Sequence, residues 1–258
     1  MHATRKLWTW LAVICALSFG VLLWVGSEIY LSAPPIPQQV VSKDGKLLYT
    51  REQIQQGQEA WLAAGGQQLG TVWGHGSYLA PDWSADWLHR EALALLDVRA
   101  QQQYQLPFAQ LDTAKQAALQ AVLKQEMRAN TYDAASETLQ VSAERAEAMA
   151  QVAAHYSGLF GSDDKLDKLR EQYAMQKGSV PDAGDLQALT GFFFWSAWSA
   201  TTDRPGVDGV SYTSNWPHEP LTGNTPTAAT GIWSVASVIL LIAAIAAMVL
   251  RHAAAKEE

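Results

Sequence analysis

The stretch GGQQLGTVWGHGSYLAPDWSADW, residues 65–87, decides how the rest of the chain is interpreted. It carries glycines at positions 65, 66, 70, 74 and 76, which let the backbone take left-handed angles or approach another body closely. Its large aromatic side chains need a surface to lie against; they are Trp73, Tyr78, Trp83 and Trp87. The stretch therefore predicts a docking loop with aromatic anchors, closed by a helix that begins at Ser84.

The bulk composition excludes several kinds of partner. The chain has 258 residues and a net charge of -7, which argues against binding to nucleic acid and against a polybasic surface for lipid headgroups. The single cysteine, Cys15, allows neither an intramolecular disulfide nor a cysteine zinc site. Some of the eleven tryptophans are expected at a membrane interface, where a partly wet indole is stable.

Two apolar runs, residues 7–26 and 231–250, have the length that crosses a bilayer. Arg5 and Lys6 place the N-terminal end of the first predicted helix in the cytoplasm. A cleaved signal peptide is the alternative, but its apolar core is normally shorter, so an uncleaved helix is favoured. The chain is then expected in the inner membrane, with both termini cytoplasmic and the intervening segment periplasmic.

These spans divide the chain into three parts. Residues 1–32 form the N-terminal transmembrane helix, and residues 33–230 form a periplasmic domain that ends in an irregular membrane-surface segment. Residues 231–258 form the second transmembrane helix and a short cytoplasmic tail. The predicted fold class is mainly α, with two transmembrane helices flanking a helical domain.

Local patterns predict the elements of this domain. Asp44-Gly45 between short β-compatible runs indicates a β-hairpin, and Thr50 with Gln53 indicates a capping box for a helix over 51–64. Residues 163–177 are interpreted as a charged, exposed helix. The last soluble helix is expected to begin at Asp185 and to run into an aromatic cluster: Phe192, Phe193, Phe194, Trp195 and Trp198. The cluster is expected to be buried, against the membrane portion or, as the favoured interpretation, in the hydrophobic core and the interface.

Three motifs in the same order resemble the N-terminal extension of the quinol-dependent nitric oxide reductases, members of the haem-copper oxidase superfamily. They are GGQQLGTVWGHGSYLAPDWSADWLHREA, GFFFWSAWSATTDRPG from Gly191 and TSNWPHEPLTGN from Thr213. The resemblance spans essentially the whole chain. Proteins of that family continue into a catalytic bundle of further membrane helices, so this chain is expected to be either a fragment of the full polypeptide or a subunit beside a separate catalytic chain.

The same stretch also resembles the membrane-anchored cytochrome c subunit of the cytochrome-dependent enzymes, in which a CxxCH haem-attachment motif precedes this loop. The five corresponding positions here are Gly66, Gln67, Gln68, Leu69 and Gly70. Covalent attachment needs the two cysteines and the histidine. The resemblance therefore implies a cytochrome c-like fold without haem, and a membrane quinol as electron donor in place of a soluble cytochrome.

Reduction of nitric oxide needs haems and a non-haem iron held by histidines of membrane helices. The six histidines of this chain lie at positions 2, 75, 89, 155, 218 and 252, outside both predicted spans. No catalytic residue is therefore assigned here, and this chain alone should bind no cofactor and be inactive. The resemblance implies haem b, haem b3, non-haem iron and calcium in the complete enzyme.

The resemblance also implies a calcium contact in the GHGSY loop. Backbone carbonyls at Gly76 and Tyr78 would supply two ligands, and glutamates and haem propionates from the catalytic bundle would supply the others. The alternative is a plain docking turn without an ion. His218 and Glu219 are expected to fix the irregular segment.

Two functions of different classes remain open. The favoured one is the anchor and ectodomain of a quinol-dependent nitric oxide reductase, capping a catalytic bundle at the lipid bilayer. The alternative is a non-enzymatic, membrane-anchored periplasmic sensor or scaffold, which predicts a cytoplasmic signalling module after the second span. A haem-binding electron carrier is disfavoured because the CxxCH motif is missing.

Overall fold

The computed structural model describes residues 2–257, and the side chains of residues 5, 6 and 8–254. This part of the chain is mainly helical, as predicted. Its α-helices, in chain order, are α1 (His2–Leu31), α2 (Arg51–Ala63), α3 (Trp83–Tyr104), α4 (Thr113–Arg128), α5 (Ala143–Phe160), α6 (Asp167–Gln172), α7 (Ala183–Thr201) and α8 (Ala228–Glu257). Short 3-10 turns lie at Gly66–Leu69, Phe108–Gln110 and Asp164–Leu166.

The chain divides into two compact units, Met1–Pro35 and Ile36–Glu258. The first consists of α1 and the proline-containing turn that follows it. The second holds all other elements, with α8 at its end. Two stretches, Trp8–Leu31 and Ala228–Ala254, are long and apolar enough to cross a membrane. Both are exposed along their length, which confirms the prediction of a candidate membrane-spanning helix at each end of the described chain.

A small sheet supports the helices of the second unit. Its strands are β1 (Gln39–Ser42), β2 (Leu47–Thr50), β3 (Tyr132–Asp133) and β4 (Thr138–Val141), in the order β2-β1-β4-β3. The predicted hairpin is confirmed: β1 and β2 pair antiparallel, and Gly45 takes a φ of +86° in the turn. The parallel pairing of β1 with β4 was not predicted, because no local sequence pattern identifies the partner of a strand so distant in the chain.

Helix α7 is the centre of the core. It is buried from Ala188 to Thr201 and packs against α2, α3 and α5. The approach of α2 is close because Gly57 has no side chain: a Cβ there would lie 2.0 Å from the carbonyl oxygen of Ala188. The aromatic cluster of α7 lies in this core, which confirms the expectation of burial in the hydrophobic core. Phe193, for example, contacts Trp83 and Tyr156.

Helices α2, α3 and α7 each begin directly after a residue whose side chain caps the helix N-terminus. The capping box is confirmed, since Gln53 N donates to the Thr50 hydroxyl and Thr50 N donates to the Gln53 side chain. Helix α3 begins at Trp83, one residue before the predicted Ser84, because Asp82 is its N-cap. Helix α7 likewise begins before Asp185, with Asp182 as its N-cap.

The predicted exposed helix over 163–177 was wrong. The segment forms a 3-10 turn and the short helix α6, and Arg170 points inward and is buried. Its guanidinium donates to the carbonyl oxygens of Gly158 and Leu159, at 2.9 and 3.1 Å, near the end of α5. An arginine in a charged segment was interpreted as a solvated residue, whereas it satisfies helix-end carbonyls.

A buried ion pair crosses the core between α3 and α5. The Glu91 side chain is fully buried, and its Oε1 accepts a hydrogen bond from Arg145 Nε at 2.6 Å. Its Oε2 accepts a second bond from the indole of Trp87 at 2.8 Å. Both carboxylate oxygens are therefore satisfied, as a buried charge requires.

Candidate functional site: the glycine-rich loop

Asp82 holds the glycine-rich loop in shape. Its Oδ2 accepts hydrogen bonds from the Thr71 hydroxyl at 2.7 Å and from the Gly74 backbone N–H at 2.6 Å. Its Oδ1 accepts the Ala85 N–H at 3.0 Å, as an N-cap does, and also the Ser84 hydroxyl. One nearly buried carboxylate thus joins the loop to the start of α3.

Two tryptophans tie the base of the loop to other elements. The indole N–H of Trp73 donates to the carbonyl oxygen of Ser196 in α7 at 2.8 Å. The indole N–H of Trp216 donates to the carbonyl oxygen of Gly74 at 2.7 Å, and its ring lies edge-on to His75 with centroids 4.6 Å apart. The predicted aromatic anchoring is therefore present, with Trp216 as an additional anchor from outside the loop.

The segment that contains Trp216 also places the loop beside the start of α8, the second candidate membrane-spanning helix. Thr227 N donates to the carbonyl oxygen of Ser214 at 3.2 Å, and α8 begins at the next residue, Ala228. Ser214 is two residues from Trp216, which holds Gly74. The loop consequently lies at the end of the domain from which the membrane-spanning candidate α8 departs.

The tip of the loop projects from the domain. The Tyr78 side chain is 97 % exposed and Leu79 is 52 % exposed, although the backbone around them is fixed by a turn in which Ser77 N donates to the Ala80 carbonyl at 2.9 Å. A rigid turn that presents a bare aromatic ring is typical of a contact surface. Gly76 takes a φ of +83°, and a Cβ added to it would lie 3.0 Å from Ala80 O.

The two residues predicted to face calcium have the required oxygens. Within residues 2–257, neither the Gly76 nor the Tyr78 carbonyl accepts a hydrogen bond. Carbonyl oxygen suits a hard cation, so these residues fit a calcium ion in part. No group of three His, Cys, Asp or Glu side chains that could hold a metal is found in the described part of the chain, so the other ligands would come from elsewhere.

The residues at the haem-attachment positions do not fit a c-type haem. They form a 3-10 turn, and the carbonyl of Gly70 at its end accepts the Trp61 indole N–H at 3.3 Å. A Cβ at Gly70 would lie 2.3 Å from Trp83 Nε1, so the adjacent space is filled by that fully buried indole. Together with the missing cysteines and histidine, this packing leaves no site for a covalently attached porphyrin beside the turn.

Trp83 is the main filler of this space. It contacts Phe193 in α7 and three further rings: Tyr156, Phe160 and Tyr173. Trp61 is buried against Phe192, and Trp73 is partly buried against Trp195. Trp83 was predicted only as a loop anchor, because nothing local shows which of several tryptophans turns inward.

Arg128 orders the irregular segment that precedes α8. Its Nη1 donates to the side-chain oxygens of Asn215 and Asn224, each at 3.1 Å, and its Nη2 pairs with Asp203 at 2.5 Å. His218 Nδ1 lies 2.9 Å from the carbonyl oxygen of Asn224. Backbone hydrogen bonds join Glu219 and Asn224 in both directions at 2.9 Å. His218 and Glu219 therefore take part in fixing the segment.

Glu219 makes a second contact that was not predicted. Its Oε2 lies 2.8 Å from His89 Nδ1 on α3. The two residues are 130 positions apart, so no sequence spacing could have indicated the pair.

The fold and the loop define a mainly helical domain with a candidate membrane-spanning helix at each end of the described chain, and its haem-attachment positions lack the cysteines and the histidine of a c-type haem. The family model of the nitric oxide reductase NorB cytochrome c-like domain matches residues 37–218. The chain therefore belongs to this family. No curated protein matches the chain.

Proposed function

We propose that this chain is the haem-free anchor and ectodomain of a quinol-dependent nitric oxide reductase. The complete enzyme would convert two nitric oxide molecules, two electrons and two protons to nitrous oxide and water. Residues 1–32 and 231–258 would cross the inner membrane, with both termini cytoplasmic, and residues 33–230 would cap the catalytic bundle from the periplasm. The main support is the rigid, exposed GHGSY tip beside the start of α8.

The tip has two tasks in this proposal. The Tyr78 ring and the Leu79 side chain enter the contact with the catalytic bundle, and the carbonyl oxygens of Gly76 and Tyr78 face a calcium ion held jointly with groups of that bundle. Haem b, haem b3 and non-haem iron of the bundle supply the redox chemistry. This chain contributes no catalytic group to that centre; it fixes the loop and excludes water from one side.

The residues at the haem-attachment positions support a quinol as the electron donor. A soluble cytochrome could pass electrons through this domain only if the domain held a redox group. The turn over Gly66–Leu69 lacks the cysteines and histidine of a c-type haem, and Trp83 fills the neighbouring space. A donor dissolved in the membrane reaches the bundle without passing through this domain, which favours a quinol.

A substitution that displaces the Gly76 carbonyl oxygen tests the proposed calcium contact. In the complete reductase, Gly76→Ala strains a backbone at φ +83° beside Ala80 O, and we expect less bound calcium and lower nitric oxide consumption. Gly178→Ala is the matched control, because Gly178 has a φ of +66° with open space around it and lies in the turn before α7. Equal calcium content and equal turnover in the two variants would contradict the proposed role.

A further inference from the structure

His89 and Glu219 form an imidazole–carboxylate pair on the surface of the domain. His89 Nδ1 lies 2.8 Å from Glu219 Oε2. A carboxylate oxygen accepts a hydrogen bond from a ring N–H, so Nδ1 is the donor to Glu219, and in the tautomer with its proton on Nδ1 the free lone pair lies on Nε2. The His89 side chain is 52 % exposed and the Glu219 side chain 7 % exposed, so the carboxylate stands behind an accessible ring.

Glu219 is held rigidly. Its Oε1 accepts the Leu221 N–H at 3.0 Å, and its backbone is bonded twice to Asn224. A fixed carboxylate fixes both the orientation and the tautomer of the imidazole that it contacts. This arrangement is the one in which a histidine serves as a proton acceptor with a defined direction.

The pair lies near the entry of α8 into the membrane. Ala228, the first residue of α8, is only a few positions after Asn224 in the chain. That length of chain spans at most about 14 Å. A molecule in the outer part of the bilayer can therefore come close to His89, whereas a group deep in the bilayer cannot.

We propose that Nε2 of His89 accepts a hydroxyl proton from the headgroup of a membrane-resident hydroquinone. This inference rests on the proposed function, which makes a quinol the electron donor. One O–H bond of the hydroquinone breaks and its proton passes to Nε2, while the electron released would be taken up by the redox groups of the catalytic bundle. The imidazolium is stabilised by Glu219 and then releases the proton to water.

The test uses the complete reductase with two electron donors. His89→Gln keeps a polar side chain at an exposed position but removes the basic nitrogen, and we expect quinol-dependent kcat/KM to fall at least about tenfold. Turnover with a soluble artificial one-electron donor, which needs no proton acceptor at this site, should stay within about twofold of wild type. His218→Gln is the matched control, because this neighbouring exposed histidine contacts a backbone carbonyl through Nδ1 and not a carboxylate, and it should retain both activities.

Binding of a non-reducible quinone analogue to the same variants gives a readout that does not depend on turnover. We expect His89→Gln to weaken this binding and His218→Gln to leave it unchanged. An unchanged quinol kcat/KM in His89→Gln would overturn the inference. Equal losses with both donors would also overturn it, because they would indicate a structural role. Wild-type enzyme that works with the artificial donor and not with quinol would instead reject the proposed function.

Discussion

The indole N–H of Trp216 donates to the carbonyl oxygen of Gly74 at 2.7 Å, across 142 positions of the sequence. This bond joins the glycine-rich loop to the irregular segment that leads into α8. It explains why an uncharged loop with several glycines can keep one conformation. Arg128 holds the other part of the same segment, so loop and segment form one ordered surface at the α8 end of the domain.

Trp216→Phe should make the glycine-rich loop more mobile while an aromatic ring still packs against His75. Phenylalanine keeps a ring against His75 but cannot donate to the Gly74 carbonyl, and a lost hydrogen bond of this kind costs about 1 to 2 kcal/mol. Hydrogen exchange of the amides from Gly74 to Gly76 should become faster. Trp233→Phe on exposed α8 is the control and should leave these amides protected as in wild type. Unchanged exchange in Trp216→Phe would show that the bond does not hold the loop.

Asp82→Ala should destabilise the domain more than an ordinary lost helix cap. It removes the N-cap of α3 and leaves the Thr71 hydroxyl and the Gly74 N–H without their acceptor, at a total cost of about 3 kcal/mol. Asp112→Ala removes an exposed cap with a single backbone partner, Lys115 N, and should cost less. Denaturant unfolding of both variants measures the difference. Equal losses would mean that Asp82 acts only as a cap.

Because Glu91 and Arg145 form a buried pair, substitutions at these two positions should have strongly non-additive effects on the free energy of unfolding. Glu91→Gln leaves the Arg145 guanidinium buried without a counter-charge and should cost about 3 to 5 kcal/mol. Adding Arg145→Met removes that charge, while the amide oxygen of the introduced glutamine can still accept the Trp87 N–H.

The double variant should therefore be more stable than Glu91→Gln alone when both are unfolded in denaturant. Lys177→Met, which removes one partner of a surface pair with Asp164, serves as the control and should change stability little. A double variant less stable than either single variant would show that the pair stabilises the core beyond neutralising its own charges.

His155 should make the domain sensitive to mild acid. Burial and the nearby Arg90 guanidinium lower the pKa of His155 below its usual 6.5, and its Nε2 is buried without a hydrogen-bond partner among the described side chains. Below pH 6.5 the unfolded chain therefore binds a proton that the folded domain does not. Stability should fall from that pH downward until the pKa of the folded state is passed.

His155→Gln should flatten this part of the stability curve, measured by denaturant unfolding at a series of pH values. Gln151→Ala, at a neighbouring position in the same shallow cleft of about 240 Å³, should keep the wild-type slope because no titrating group is changed. A slope that persists in His155→Gln would assign the acid sensitivity to other groups.

Features that depend on local chemistry could be predicted from the sequence. The hairpin at Gly45, the capping box at Thr50 and the two long apolar helices each arise from a few adjacent residues, and each is found. Family resemblance added the cytochrome c-like character of the domain, which the family match bears out.

The features that were missed depend on contacts between distant residues. The pairing of β1 with β4, the inward turn of Arg170 and the contact of His89 with Glu219 leave no periodic or local signal. The sequence predicted a buried aromatic cluster in α7 but left its surroundings open, because an apolar run shows that a helix is buried, but not against what. The tertiary structure decides between a protein core and a membrane contact, and here the core surrounds it.

The proposed function requires that this haem-free domain belong to a reductase that oxidises quinol. The direct measurement is nitric oxide consumption by the purified complex that contains this chain, with a reduced quinol or a reduced soluble cytochrome c as the only donor. We predict sustained consumption with the quinol. Consumption with cytochrome c and not with the quinol, or no consumption with either donor, would contradict the proposed function.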